Sequence, residues 1–169
     1  VAGSAVEADL LADVAGSAET DIEGPLRQAV AAQILTVDPQ ATSGAYRFRH
    51  ALLAEAVYDD LLPSERRRLH AAYAAVLDAR PVPPGAEGAS HLATLAHHAT
   101  AAHESERALG AWVRAARAAG STHAFGEAAR AYERAIDLWD AVPADDRPTD
   151  TDAAALYHEG ALAAMVSGS

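Results

Sequence analysis

Residues 46–70 read YRFRHALLAEAVYDDLLPSERRRLH, and this stretch decides how the chain divides into structural elements. It opens with alternating aromatic and basic side chains, which is typical of a short, half-exposed strand. Apolar residues return at helical spacing after His50, and Pro63 ends that pattern because proline cannot continue a helical hydrogen-bond ladder. Ser64 can cap a following helix, whose apolar stripe comprises Leu69, Tyr73, Val76 and Leu77. We therefore expect a strand, a helix, a break and a second helix.

Two further helices are predicted before this stretch. Residues 6–16 place leucine and valine side chains on one helical face, and Gly16 is a typical helix stop. Residues 24–34 repeat apolar side chains every four positions. Pro25 would then lie in the first helical turn, where proline is favoured.

A β-hairpin is predicted between these helices and His50. Two β-prone runs, residues 35–37 and 46–48, flank a cluster of turn-forming residues. The turn formers are Asp38, Pro39, Ser43 and Gly44. Two helices followed by a hairpin outline a winged-helix domain. We therefore expect residues 1–80 to form a winged-helix-like domain with a trailing helix.

The segment RPVPPGAEG, residues 80–88, separates this region from the rest of the chain. Because so many prolines and glycines cannot continue a helix, we expect residues 81–90 to be a linker. Residues 91–169 then predict four helices of similar length, with small residues where the helices would touch. These are 91–102, 106–119, 124–140 and 152–166, with Ser90, Ser105 and Asp150 or Thr151 as caps and Gly120 and Pro143 as stops.

The pattern of residues 91–169 favours an array of α-hairpins. Trp112, Ala116, Ala128 and Tyr132 fall on the large-and-small residue frame of a tetratricopeptide repeat. A second alignment of the repeat pattern fits in part, and it makes residues 106–119 the second helix of a repeat instead of the first. The position at which each repeat begins therefore stays open. A plain helical bundle with an alanine-rich seam is the remaining alternative. The expected fold is thus mainly α, a winged-helix-like domain with a small β-hairpin followed by a tetratricopeptide-like array.

Composition limits the classes of function. The net charge is −11, and residues 46–70 contribute about +1, so the remainder would repel phosphates and we expect no direct nucleic-acid binding. The chain has no cysteine, which excludes disulfides and thiol chemistry and fits a cytoplasmic location. We find neither a membrane-spanning run nor a signal peptide and expect no membrane contact. The chain begins with Val1 and stops just after a helical pattern, and we expect it to be a piece of a longer protein.

The sequence offers little that predicts catalysis. It contains no GxxxxGK[ST] phosphate loop, GxGxxG, GxSxG or HExxH motif, so we expect neither an enzyme nor nucleotide hydrolysis by this chain alone. Four histidines, at positions 91, 97, 98 and 103, lack the i, i+3 or i, i+4 spacing of metal ligands on one helical face, so we expect no metal site. The arginines at 66–68 are expected to be solvated or to pair with Asp59 or Asp60 across the turn at Pro63.

His50 is the one candidate binding residue. It follows a strand and opens a helix, where free backbone N–H groups and the helix dipole favour an anion. An imidazole there can donate a hydrogen bond to a phosphate and can titrate near neutral pH. A buried, hydrogen-bonded structural histidine is the alternative.

The 46–70 string resembles a recurring segment of LuxR-type, MalT-like STAND ATPase regulators. In that group a nucleotide-binding module precedes a winged helix, whose last strand reads F-R-H before a helix resembling ALLxEAVYxxLLPxxRxxLH. A tetratricopeptide-like region follows, and a DNA-binding domain often ends the protein. The resemblance implies that His50 is the winged-helix histidine that contacts the β-phosphate of ADP in the full-length protein. The phosphate loop and the DNA-binding domain are absent from this chain.

The expected function is therefore a regulatory, sensor piece of an ATP-dependent LuxR-family regulator. Its partners would be an upstream nucleotide-binding module and an inducer or protein bound by the helical repeats. No cofactor is expected in the chain itself, while ATP or ADP is implied for the parent protein. The alternative is a protein-interaction scaffold of a STAND-like ATPase with a non-DNA output. An apolar face comprising Leu156, Leu162 and Met165 also predicts a possible dimer.

Overall fold

A computed structural model describes residues 5–38 and 44–168 of the chain. Within these residues the fold is mainly helical, with eight α-helices, one short 3-10 helix and a two-stranded antiparallel hairpin. The chain divides into two compact units, residues 1–76 and 77–169. The division falls inside a helix, close to the predicted domain end at residue 80.

The first unit begins with two helices. Helix α1 spans Ala8–Ala15 and ends at Gly16, whose left-handed backbone (φ 63°) confirms the predicted stop. Helix α2 spans Glu19–Ala31, so the prediction that Pro25 lies in its first turn is wrong. The acidic first turn of α2, with Glu19 and Asp21, stabilises an earlier N-terminus. Pro25 lies inside the helix on its exposed side. Proline has no backbone N–H, so the carbonyl four residues earlier loses its helical hydrogen bond, and water can replace that bond on the exposed side.

The predicted strands are confirmed at their predicted residues. Strand β1 is Leu35–Val37 and strand β2 is Tyr46–Phe48, paired antiparallel with Thr36 opposite Arg47. Val6 adds a bridge on the other side of β2 through two backbone hydrogen bonds to Tyr46, of 2.7 and 2.8 Å. Of the predicted turn formers, Gly44 has a positive φ of 69°, whereas Pro39 and Ser43 lie outside the described residues.

Two helices follow the hairpin, α3 at Ala51–Asp60 and α4 at Pro63–Ala79. Pro63 therefore starts α4, where its missing N–H costs nothing. Ser64, the predicted cap, lies inside the helix, so that prediction is wrong. Glu65 instead accepts a hydrogen bond from the backbone N–H of Leu62 (2.9 Å), which is the reverse half of a capping box.

The second unit holds four long helices that contact one another in chain order: α5 at Gly85–Ala101, α6 at Ser105–Ser121, α7 at Phe125–Trp139 and α8 at Ala153–Ser167. Helix α5 begins six residues before the predicted start, so residues 85–90 are helical and not linker. Glycine at position 88 makes this start possible. Any other residue would place its Cβ 2.1 Å from the carbonyl oxygen of Pro83, which is closer than the two atoms can approach.

The predicted helix ends in this unit are partly wrong. Ser90 and Gly120 lie inside helices, Ser105 is the first helical residue, and Asp152 is the cap that accepts from Ala155 N–H at 2.7 Å. Helix α7 already ends at Trp139, before the predicted stop at Pro143. Helix caps contribute only about 1 kcal/mol each, so the packing of whole helices decides their ends.

Two three-residue turns, 102–104 and 122–124, fold α5, α6 and α7 into consecutive antiparallel hairpins. Both turns use a histidine with φ 62°, His103 and His123, and the same pair of backbone hydrogen bonds back to the preceding helix. Alanine fills the contacts between these helices, and the fully buried examples are Ala96, Ala99, Ala108, Ala116 and Ala135. Small side chains let the helix backbones approach closely.

The predicted exposed apolar face of α8 is wrong for one of its three residues. Leu156 is fully buried and belongs to the core around α7, whereas Leu162 and Met165 are exposed. Gly160 provides the close contact, since a Cβ there would lie 3.1 Å from the Cβ of Tyr132 on α7.

Candidate functional site

His50 lies at the corner between β2 and α3. Its backbone is extended (φ −133°, ψ 135°) and it occupies the N-cap position of α3, while its carbonyl accepts from Leu53 N–H at 3.0 Å. The imidazole is exposed, makes no capping hydrogen bond and has no partner among residues 5–38 and 44–168. The alternative of a buried, hydrogen-bonded histidine is therefore wrong. Residue 50 directly precedes the first turn of α3, whose backbone N–H groups have no acceptor within the helix.

The three arginines after Pro63 differ in their surroundings: one makes several contacts within the first unit, and the other two are exposed. Arg66 pairs with Asp59 (3.5 Å), which confirms the predicted contact across the turn. Its guanidinium also donates to the carbonyls of Asp59 (2.8 Å) and Leu61 (3.1 Å) and lies 4.5 Å from the ring centre of Tyr58. Arg66 thus satisfies carbonyls at the C-terminus of α3. The other two arginines of the run, 67 and 68, are exposed.

A buried histidine that the sequence did not distinguish stands beside this cluster. His70 is 3% exposed, and its Nε2 lies 3.2 Å from the hydroxyl of Tyr58. The two rings meet edge to face. On the same helix, burial raises the pKa of Tyr73 to about 12, so its phenol stays protonated in the physiological range. These contacts fix helix packing and expose no reactive group.

The four histidines at 91–103 do not converge on one point in the structure. His91 Nε2 lies 2.9 Å from the carbonyl oxygen of Leu77, His98 is buried, and His103 forms the turn after α5. The rings of His97 and His98 contact each other edge to face. Across the described part of the chain, no group of three or more histidine and acidic side chains has the geometry of a metal site.

A groove crosses α5, α6 and α7 in the second unit and has a volume of about 530 Å³. Seven of its thirteen lining residues are alanines, and Trp112 on α6 also lines it. The indole N–H of Trp112 donates to the Thr100 hydroxyl at 3.1 Å, which fixes the ring in one orientation.

One wall of the groove, formed by α7, carries charged side chains. Arg130 donates to Glu127 at 2.6 Å, whereas Arg134 is exposed and has no ion pair or hydrogen bond with any described residue. No site was predicted at these residues from the sequence. Their i, i+3 and i+7 spacing was the available signal for one shared helix face, but that spacing is equally typical of a solvated helix surface.

A second hollow of about 490 Å³ lies among α6, α7 and α8 and holds a polar network. Tyr132 donates to Glu159 at 2.5 Å, Arg117 approaches Glu159 at 4.0 Å, and Arg117 also pairs with Asp150. Burial, and then the hydrogen bond to Glu159, raise the pKa of Tyr132. The hydrogen bond from Arg117 lowers the pKa of Asp150. The network joins three helices through charge-assisted contacts.

Comparison of the chain with protein-family models, with curated proteins and with solved structures found no match. None of the helices described combines the length and the apolar character that crossing a bilayer requires.

Proposed function

We propose that the chain is a regulatory, sensor segment of an ATP-dependent STAND-type regulator of the LuxR group. The first unit would act as a winged-helix-like domain and the second as a tetratricopeptide-like array. The observation that carries the proposal is the exposed, unpartnered imidazole of His50 at the N-terminus of α3. In support, the order of two helices, a hairpin and a further helix suits a winged helix.

In this proposal His50 contacts a phosphate of ADP that an upstream module binds. A neutral imidazole can donate one N–H to a phosphate oxygen, and a protonated one adds a positive charge. The free N–H groups of α3 favour the same anion. The chain itself would hold no cofactor and catalyse no reaction, and it would act in the cytoplasm by a change of domain packing that follows nucleotide state.

We further propose that this segment does not bind DNA. Helix α2, which would be the recognition helix, carries a single cation, and Arg27 lies 3.8 Å from Glu23. Its first turn is acidic. Such a surface would repel the phosphate backbone rather than enter a groove.

The test is a calorimetric titration of ADP into the parent protein that carries the nucleotide-binding module. His50→Asp is the informative variant, because aspartate is a better N-cap and its charge suits the helix dipole, so α3 is stabilised. The same charge would repel a phosphate. We expect ADP affinity to fall at least tenfold, about 1.4 kcal/mol, while thermal stability is maintained or rises.

The neighbouring Arg49→Gln is the control, since Arg49 is exposed and its substitution removes a charge without touching the imidazole. It should weaken ADP binding far less than His50→Asp. Unchanged ADP affinity in a folded His50→Asp protein would refute the sensor role.

The second candidate function is an interaction scaffold of a STAND-like ATPase with a non-DNA output. It is favoured by the apolar side chains that α8 exposes: Tyr157, Leu162, Met165 and Val166. This face would also account for a dimer. The scaffold is the remaining candidate if nucleotide affinity does not depend on His50.

A further inference from the structure

The groove across α5, α6 and α7 has the dimensions of a small-molecule site. Its volume of about 530 Å³ lies within the roughly 300–1,000 Å³ that is usual for pockets that bind small ligands. Such pockets are mostly apolar, with a few polar groups that orient the ligand. The groove meets both conditions, because most of its lining residues are alanines and its charged groups lie on one wall.

The floor and the α5 wall of the groove suit a flat apolar body. On α5 the lining residues include Ala89 and Ala93, and Ser90 is the polar side chain there. On α6 the floor holds Ala115 and the indole of Trp112, which Thr100 anchors. Methyl groups leave a wide surface, and a fixed indole offers a face or edge on which an aromatic ring can stack.

The α7 wall gives the groove a local charge opposite to that of the chain. The chain carries a net charge of −11, yet the groove is lined by Arg130 and Arg134 against the single carboxylate of Glu127. Arg130 is already paired with that carboxylate. Arg134 is therefore left to bind an anion, and a guanidinium binds a carboxylate through two parallel hydrogen bonds.

From this asymmetry we infer that the groove binds a small aromatic carboxylate. The ring lies over the alanine floor beside Trp112, and the carboxylate accepts hydrogen bonds from Arg134. This inference gives a chemical class to the inducer of the proposed sensor. It rests on that proposal only for its regulatory meaning, because the binding itself is a property of the second unit.

The test is calorimetry on this chain with 1-naphthylacetate and its uncharged analogue 1-naphthylacetamide as probes. The two share an aromatic body and differ in the anion. We expect saturable binding of the carboxylate and at least tenfold weaker binding of the amide. Arg134→Gln should weaken the carboxylate at least tenfold and leave the amide unchanged.

Two further variants make the outcome specific. Arg68→Gln removes an equal charge from an exposed position on α4, outside the groove, and should leave both affinities unchanged. Ala93→Phe fills the groove and should abolish binding of both probes, with thermal melting used to verify that the variant is folded.

Three results would overturn the inference: equal affinity for the two probes, no binding of either at millimolar concentration, or equal losses in Arg134→Gln and Arg68→Gln. None of them bears on the ADP titration. Failure of the groove and failure of the His50 sensor are therefore distinguished.

Discussion

Gly88→Ala is expected to destabilise the helical unit, although alanine is the better helix former. Gly88 is buried in the first turns of α5, and an added Cβ would lie 2.1 Å from the Pro83 carbonyl oxygen and 3.2 Å from Val82 Cγ1. The close neighbour is backbone, so the segment that enters α5 must move by most of an ångström. Overpacking of this kind costs about 1–3 kcal/mol, and we expect about 3 kcal/mol because the backbone cannot rotate away.

Helix propensity offsets part of that cost, since alanine is favoured over glycine by about 1 kcal/mol. The net loss is then about 2 kcal/mol. For a unit of this size about 1 kcal/mol corresponds to roughly 4–8 °C in melting temperature. We therefore expect Gly88→Ala to melt at least about 8 °C lower when followed by circular dichroism.

The control for Gly88→Ala is Gly110→Ala, in the middle of α6, where an added Cβ meets no atom within 4 Å. Only the propensity term acts there, so its melting temperature should rise. A Gly88→Ala protein that melts at or above the wild-type temperature would show that Pro83 does not fold closely over α5 in solution.

Two other substitutions test local features of the helical unit. His103→Gly should stabilise it by about 0.5–1 kcal/mol, measured by urea unfolding, because φ is 62° at His103 and glycine adopts that region without strain; a lower urea midpoint would contradict this. Asp150→Asn should lower the melting temperature at neutral pH, because it removes the ion pair with Arg117. The folded-state pKa of Asp150 is lowered by that contact, so its stabilising effect is complete above the unfolded pKa of about 3.9 and is lost as the pH falls through the folded value. Melting curves of wild type and Asp150→Asn should converge in acid, and a difference that persists there would exclude the ion pair as its cause.

Local chemistry explains which elements could be predicted from the sequence. The two strands were placed correctly because their alternation and the flanking turn formers act over a few residues. The sequence predicts the starts of α2 and α5 too late, next to Pro25 and after the proline-rich segment, because proline and glycine are typical of helix boundaries. In the folded chain Pro25 is tolerated on an exposed helix surface, and Gly88 is required by close packing inside α5.

The two candidate sites differ in the same way. His50 could be located from the sequence because its position depends only on the junction between a strand and a helix. The groove could not, because it exists only once three helices pack side by side on alanine contacts. Arg134 looks like any solvated arginine until its neighbours α5 and α6 are placed.

The anchored tryptophan of the groove also gives the molecule a spectroscopic asymmetry. Both tryptophans of the chain, Trp112 and Trp139, belong to the second unit, and each is held by a polar contact, to Thr100 and to Arg147 respectively. Tryptophan emission therefore reports on the second unit alone. The first unit contains three tyrosines, Tyr46, Tyr58 and Tyr73, but no tryptophan, so its unfolding is visible in helical circular dichroism and silent in tryptophan fluorescence. Recording both signals in one denaturation experiment separates the stabilities of the two units without cutting the chain.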